Sequence, residues 1–276
     1  MTTTTTLLKH EWLRTRGPLG TLLGVIALVG VLGSLLGASG WPLLAPLGMA
    51  LGILSAVVAI PAVQLVLAAD YWRSSYGRTG YFTQSIPVRG SRIFWIKLAW
   101  AVIASLAAMV LTAVLALLAW WAFARNSALT SPSWSAVSDW WAAVTSVTPS
   151  WMIAAGFVLT LAWILVWPVF YYFSVSIGHE RRLSALGAGG PVLTFVIVYV
   201  ALQGLSMLGM VAIPFGIGMG DDQILGPVSF NLVNELAAGT GSSDILPIGF
   251  IVAMVVLAAF CLWRTARSWN HKVALG

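Results

Sequence analysis

Six long apolar stretches, at about 18–38, 44–68, 98–123, 151–177, 189–213 and 246–264, constrain this 276-residue chain more than any other feature. Each is about as long as the roughly 20 residues that carry a helix across a bilayer. Between them they leave modest loops and no room for a second soluble domain. Only 8% of the residues are charged and 59% are hydrophobic, against about 25% charged in a soluble domain. An aqueous fold has no place for that much apolar surface. The expectation is an all-α membrane protein, a single transmembrane domain over 1–276 with six transmembrane helices.

Punctuation supports the span limits. Pro18, Pro149, Pro191 and Pro247 lie near starts, where a missing amide donor costs little. Pro214 lies just past an end, and Pro61 and Pro168, inside spans two and four, are expected to kink them. Ahead of the first span, "LLKHEWLRTRG" (7–17) places Leu8 and Trp12 four apart among Lys9, Arg14 and Arg16. It reads as an amino-terminal interfacial helix with its basic residues toward lipid phosphates. The first span is longer than a signal-peptide core and follows a long flank, so it is expected to remain in the chain.

Charge placement gives the orientation. With the amino terminus in the cytoplasm, every Lys and Arg except Arg125 falls on the inner side, including Arg73, Arg78, Arg89, Arg92, Lys97, Arg181, Arg182, Arg264, Arg267 and Lys272. Basic loops stay cytoplasmic, so both termini are expected inside. The net charge of +6 is a topology signal and does not point to nucleic acid. Arginine outnumbers lysine in a chain rich in alanine and glycine, which suits a GC-rich bacterial genome and the bacterial plasma membrane.

The outer loop 124–150 carries Trp134, Trp140 and Trp141, which suits an interfacial aromatic belt. The last outer loop, 214–246, contains "GPVSFNLVNELAAG", whose middle suits a short helix ending at Gly239. A half-apolar segment between two spans is expected to dip back into the membrane as a re-entrant element. Asp221, Asp222 and Glu235 in this loop are candidates for an outer gate.

Missing groups narrow the function. The central parts of the spans hold no Asp, Glu, Lys or Arg, where ion-coupled carriers generally keep an ionisable group. No Gly-x-x-x-x-Gly-Lys-[Ser/Thr] loop occurs, so ATP is not expected to bind here. The lone Cys261 and three scattered histidines offer neither a disulfide framework nor a metal site. Gln64, Gln203, Tyr171 and Tyr199 fall within spans; they suit either hydrogen bonds between helices or the lining of a translocation path. The spacings Gly20/Gly24, Gly33/Gly37 and Gly48/Gly52 permit close helix approach.

The most informative segment is the first inner loop, "DYWRSSYGRTGYFTQSIPVRGSRIFWIKLAW" (70–100). Gly80, Tyr81, Phe82, Thr83, Ile86, Pro87 and Val88, followed by Arg89, Arg92 and Lys97, resemble a run in the type-2 export permeases of ATP-binding-cassette transporters. The match covers about thirty residues and departs from the commonest pattern in lacking a Glu shortly before the glycine, Asp70 being the nearest acid. Those permeases are also similar in their six spans, amino-terminal interfacial helix, short first outer loop and re-entrant segment between spans five and six.

The resemblance implies a permease subunit of an ATP-driven transporter, most simply an exporter and not itself an enzyme. Two permease chains, identical or related, would enclose the path, with cytoplasmic ATPase subunits below. ATP and magnesium would be held by the ATPase, with no cofactor on this chain. A cytoplasmic coupling helix at about 72–82, between spans two and three, would seat in a groove of the ATPase. There Tyr71, Trp72, Tyr76 and Tyr81 would fill the groove, Gly80 would end the helix, and Arg73 and Arg78 would pair with acids beside it. A non-transporting anchor or assembly protein is the alternative, and a secondary carrier a third. The substrate is not written in the sequence.

Overall fold

The computed structural model describes residues 4–77, 80–81, 88–126, 134–180, 183–220, 223–238 and 245–271. Six helices are long and apolar enough to cross a membrane: α1 (Thr4–Gly37), α2 (Leu44–Ser75), α3 (Gly90–Asn126), α5 (Ser150–Gly178), α6 (Gly189–Ala212) and α8 (Gly249–His271). Two shorter helices lie between them, α4 (Trp134–Val147) and α7 (Leu232–Ala238). The chain divides into two compact units, residues 1–137 with 269–276, and residues 138–268.

In the first unit α1, α2 and α3 pack on one another around Ile26, Ala56, Ala59 and Leu115. Small residues dominate the seams: Ala59, Ala101, Ala108 and Ala122 are fully buried. Between apolar helices in lipid, association rests on close packing and not on expulsion of water. The tightest approach is between α1 and α2. A Cβ on Gly48 would strike the Gly33 carbonyl and the Gly37 amide, and one on Gly33 would strike Gly48 and Gly52. Gly20 and Gly24 have nothing within 4 Å of an added Cβ, so among the described residues that spacing makes no close helix contact. Asn126, ending α3, donates from Nδ2 to the Gly37 carbonyl and closes the end of α1.

The expected interfacial helix at 7–17 is not a separate element. It is the first part of α1, which runs through Pro18 without interruption. The reason is a single buried face, Glu11, Thr15, Leu19, Ile26 and Gly30, that continues across the proline. α2 likewise continues past the apolar stretch to Ser75, so residues 71–75 of the expected coupling segment are its last turns. Arg78 and the motif residues Phe82, Thr83, Ile86 and Pro87 lie outside the described residues, as do Arg181, Arg182 and Lys272.

The second unit pairs α5 with α6. Here too glycines allow contact: Gly209 of α6 lies against Gly249 at the start of α8, and Gly178 against Gly190 and Pro191. The loop expected as a re-entrant helical segment holds an antiparallel sheet. β1 (Phe215–Met219) lies between β2 (Leu225–Ser229) and β3 (Leu246–Pro247), with Ile217 opposite Pro227 and Leu246. The anticipated short helix is α7, and Asn231 Oδ1 caps it by accepting from the Val233 amide. Gly239 and Asp244 lie outside the described residues. Along the spans Leu28, Leu32, Leu54, Val57, Phe157, Ile197 and Val256 are exposed, a surface that suits hydrocarbon and not water.

Candidate functional site

The amino end of α1, the carboxyl end of α2 and the amino end of α3 meet at one end of the first unit. That end carries a charged cluster which the sequence did not reveal. Lys97 Nζ lies 3.0 Å from Glu11 Oε1 and donates to Ser74 Oγ at 2.9 Å. The Lys97 side chain is 2% exposed. Arg14 pairs with Glu11 on its own helix and donates to both oxygens of Asp70 on α2, at 3.0 and 2.6 Å. Lys97 and Glu11 compensate each other where water is scarce, the condition under which buried charge is tolerated, and Arg14 and Asp70 close the cluster on its exposed side. Trp100 Nε1 donates to Thr15 Oγ1 at 2.9 Å, and the Trp12 ring packs edge-on against Trp100.

Arg14 thus serves α2 as much as any lipid headgroup, while Lys9 and Arg16 are exposed. A signal was present in the sequence. Glu11, Asp70 and Glu180 are the acids that fall in the segments expected inside with thirteen basic residues, and each is ion-paired to a cation. In the second unit Arg264 Nη2 reaches both Glu180 oxygens at 2.7 and 2.8 Å, and Ser268 Oγ donates to Glu180 at 2.9 Å.

The coupling candidates divide by burial. Tyr71 is 1% exposed and Tyr76 half-buried; both rings pack on Trp269, with centroids 6.2 and 5.9 Å away. Trp72 is half-buried, and Arg73 is exposed on the opposite side of α2 from Tyr71. Gly80 is buried, its amide donating to the Gly77 carbonyl at 2.8 Å, and an added Cβ would lie 2.7 Å from the Ser75 carbonyl oxygen. Tyr81 stands 63% exposed. The accessible surface at this end of the unit therefore comes from Arg73, Tyr81 and part of Trp72, and the other two tyrosines turn inward.

The path candidates fall in both units. Gln64 is buried in the first unit and donates from Nε2 to Ser105 Oγ on α3 at 3.4 Å. Tyr171 packs on Phe195 in the second unit, 5.3 Å between centroids. Tyr199 and Gln203 lie one turn apart on the exposed face of α6. Of the outer-gate candidates, Glu235 is half-buried on α7, and Asp221 and Asp222 lie outside the described residues. Among the described residues no group of three or more His, Cys, Asp and Glu is placed to hold a metal ion.

Compared with family models, curated proteins and solved structures, the chain matches none.

Proposed function

We propose that the chain is the permease subunit of an ATP-driven transporter, most simply an exporter, in which two permease chains work with separate ATPase subunits. The observation that carries the reading is where α2 ends. Its 32 residues span about 48 Å at 1.5 Å per residue, against roughly 30 Å of hydrocarbon. The surplus is a rigid extension bearing Trp72 and Arg73, and it leads to Gly80 and Tyr81, where the chain resembles type-2 export permeases.

In this reading, closure of the ATPases on ATP displaces that extension. The ion pairs Arg14–Asp70 and Lys97–Glu11 make α1, α2 and α3 respond together, since separating them leaves charge unpaired. Both termini and the 76–90 connection are cytoplasmic, by the placement of Lys and Arg. Tyr199 and Gln203, polar groups on the exposed face of an apolar helix, line the path where two chains meet, because hydrocarbon offers them no hydrogen bond. The sheet and α7, with Glu235, cap the outer end and dip into the membrane against protein.

The test is purification of the tagged chain in mild detergent. Recovery of a stoichiometric ATPase subunit, lost when Gly80→Val is introduced, supports the reading. A chain that purifies alone at every detergent strength overturns it in favour of an anchor or carrier.

A further inference from the structure

Residues 268–271 close the last helix as "SWNH", and a tryptophan near the end of a span ordinarily sits at the headgroup level. Trp263 does stand exposed, at 56%, with the Arg267 guanidinium over its ring. Trp269 does the opposite and is 5% exposed. Its Nε1–H donates to the Tyr71 hydroxyl at 2.7 Å, across 198 positions of sequence. Its ring packs on Tyr71 and, edge-on, on Tyr76. The Tyr71 and Tyr76 rings are themselves 6.0 Å apart and edge-on, so the three form one cluster.

The same turn reaches the beginning of α3. A Cβ on Gly90 would lie 2.5 Å from the Trp269 carbonyl oxygen and 3.3 Å from its ring, so only glycine permits this approach. Asn270 Oδ1 accepts the Ser91 amide at 3.1 Å, satisfying one of the donors that the first turn of a helix leaves unpaired. Residues 269 and 270 thus grip the connection between α2 and α3 at both ends, Tyr71 and Tyr76 on one side, Gly90 and Ser91 on the other.

We propose that Trp269 and Asn270 are positioning residues that clasp both ends of the 76–90 connection and so fix where Tyr81 is presented to the ATPase. The inference rests on the reading of that connection as the ATPase contact. A connection anchored only through the chain ends of α2 and α3 yields when pushed. One registered to a third helix turn transmits the push. Tyr81 makes the contact, and Trp269 acts through Tyr71 and Tyr76.

The experiment uses the full chain reconstituted in proteoliposomes with its ATPase, comparing Trp269→Ala, Trp269→Phe, Asn270→Ala and Tyr81→Ala. Amide exchange is followed at residues 76, 77 and 91, with α6 as the control for folding, and transport per ATP hydrolysed is measured alongside. Loss of two aromatic contacts and a buried hydrogen bond in Trp269→Ala is expected to speed exchange at these amides roughly tenfold or more. Transport per ATP is expected to fall with it. Trp269→Phe, which keeps a ring and loses the donor, is expected to lie between. Tyr81→Ala is expected to uncouple transport with exchange at the clasp unchanged.

Unchanged transport per ATP in Trp269→Ala, with Tyr81→Ala uncoupled, overturns the clasp and leaves the ATPase reading standing. Normal coupling in Tyr81→Ala overturns that reading and the clasp with it. If exchange in Trp269→Ala rises in α6 as well, Trp269→Phe and Asn270→Ala decide, and normal coupling in both overturns the proposal.

Discussion

Glu11 and Lys97 form an ion pair whose two members are not equally replaceable. Lys97 has the Glu11 carboxylate and the Ser74 hydroxyl as polar partners, and its side chain is 2% exposed. Glu11 has Arg14 as well as Lys97. Glu11→Leu therefore strands a buried ammonium with a single neutral hydroxyl, while Arg14 still has Asp70. Removing one partner of a buried pair costs about 3–5 kcal/mol. Lys97→Met leaves Glu11 compensated by Arg14 and Ser74 bonded to the Tyr71 carbonyl, and it forfeits the ammonium's two hydrogen bonds, the one to Glu11 worth about 1.5–3 kcal/mol. In a unit of this size each kcal/mol moves the midpoint by about 2–4 °C. Thermal unfolding of the detergent-purified chain is then expected to fall by roughly 6–20 °C for Glu11→Leu. The fall for Lys97→Met is expected to be about half as large. The double variant removes both charges and is expected to recover much of the loss, a coupling of about 2 kcal/mol or more in the cycle. If Glu11→Leu is no worse than Lys97→Met, and the double variant equals their sum, the two side chains do not interact and the reasoning is refuted.

Gly48→Leu places carbon into the Gly33 carbonyl and Gly37 amide, backbone that cannot step aside. It is expected to cost about 1–3 kcal/mol or more, whereas Gly20→Leu, facing open space, stays within about 0.5 kcal/mol; equal midpoints for the two would show that α1 and α2 do not cross there. Orientation is testable because the native Cys261 is fully buried. In a Cys261→Ala background, a single cysteine at Arg89 is expected to react with impermeant maleimide only from the cytoplasmic side and one at Asp139 only from the outer side, and the reverse pattern would refute the orientation.

Legibility followed the range of the interaction. The six spans could be read because lipid acts on every residue of a 20-residue run, so composition alone reports the environment. α4 was hidden in a loop read for its tryptophans, and the sheet in a glycine-rich loop. β1, "FGIGM", has five residues and alternates in burial; a run that short, with two glycines, carries too little period-2 signal to be told from a turn. The division of the 71–81 segment into buried Tyr71 and exposed Arg73 and Tyr81 was not legible. That division depends on Trp269, which lies far along the chain.

What the sequence by itself determined is the six helices long and apolar enough to cross a membrane and the uneven placement of charge between them. These follow from local composition, which needs no knowledge of neighbours. Only the tertiary structure decided that Glu11 meets Lys97, that Arg14 turns to Asp70, that Gly48 and not Gly20 admits a neighbouring helix, and that Trp269 closes over Tyr71. Each of these is a choice of partner across a helix seam. In an apolar medium many seams bury similar surface, so side-chain shape and the pairing of a few buried charges select among them.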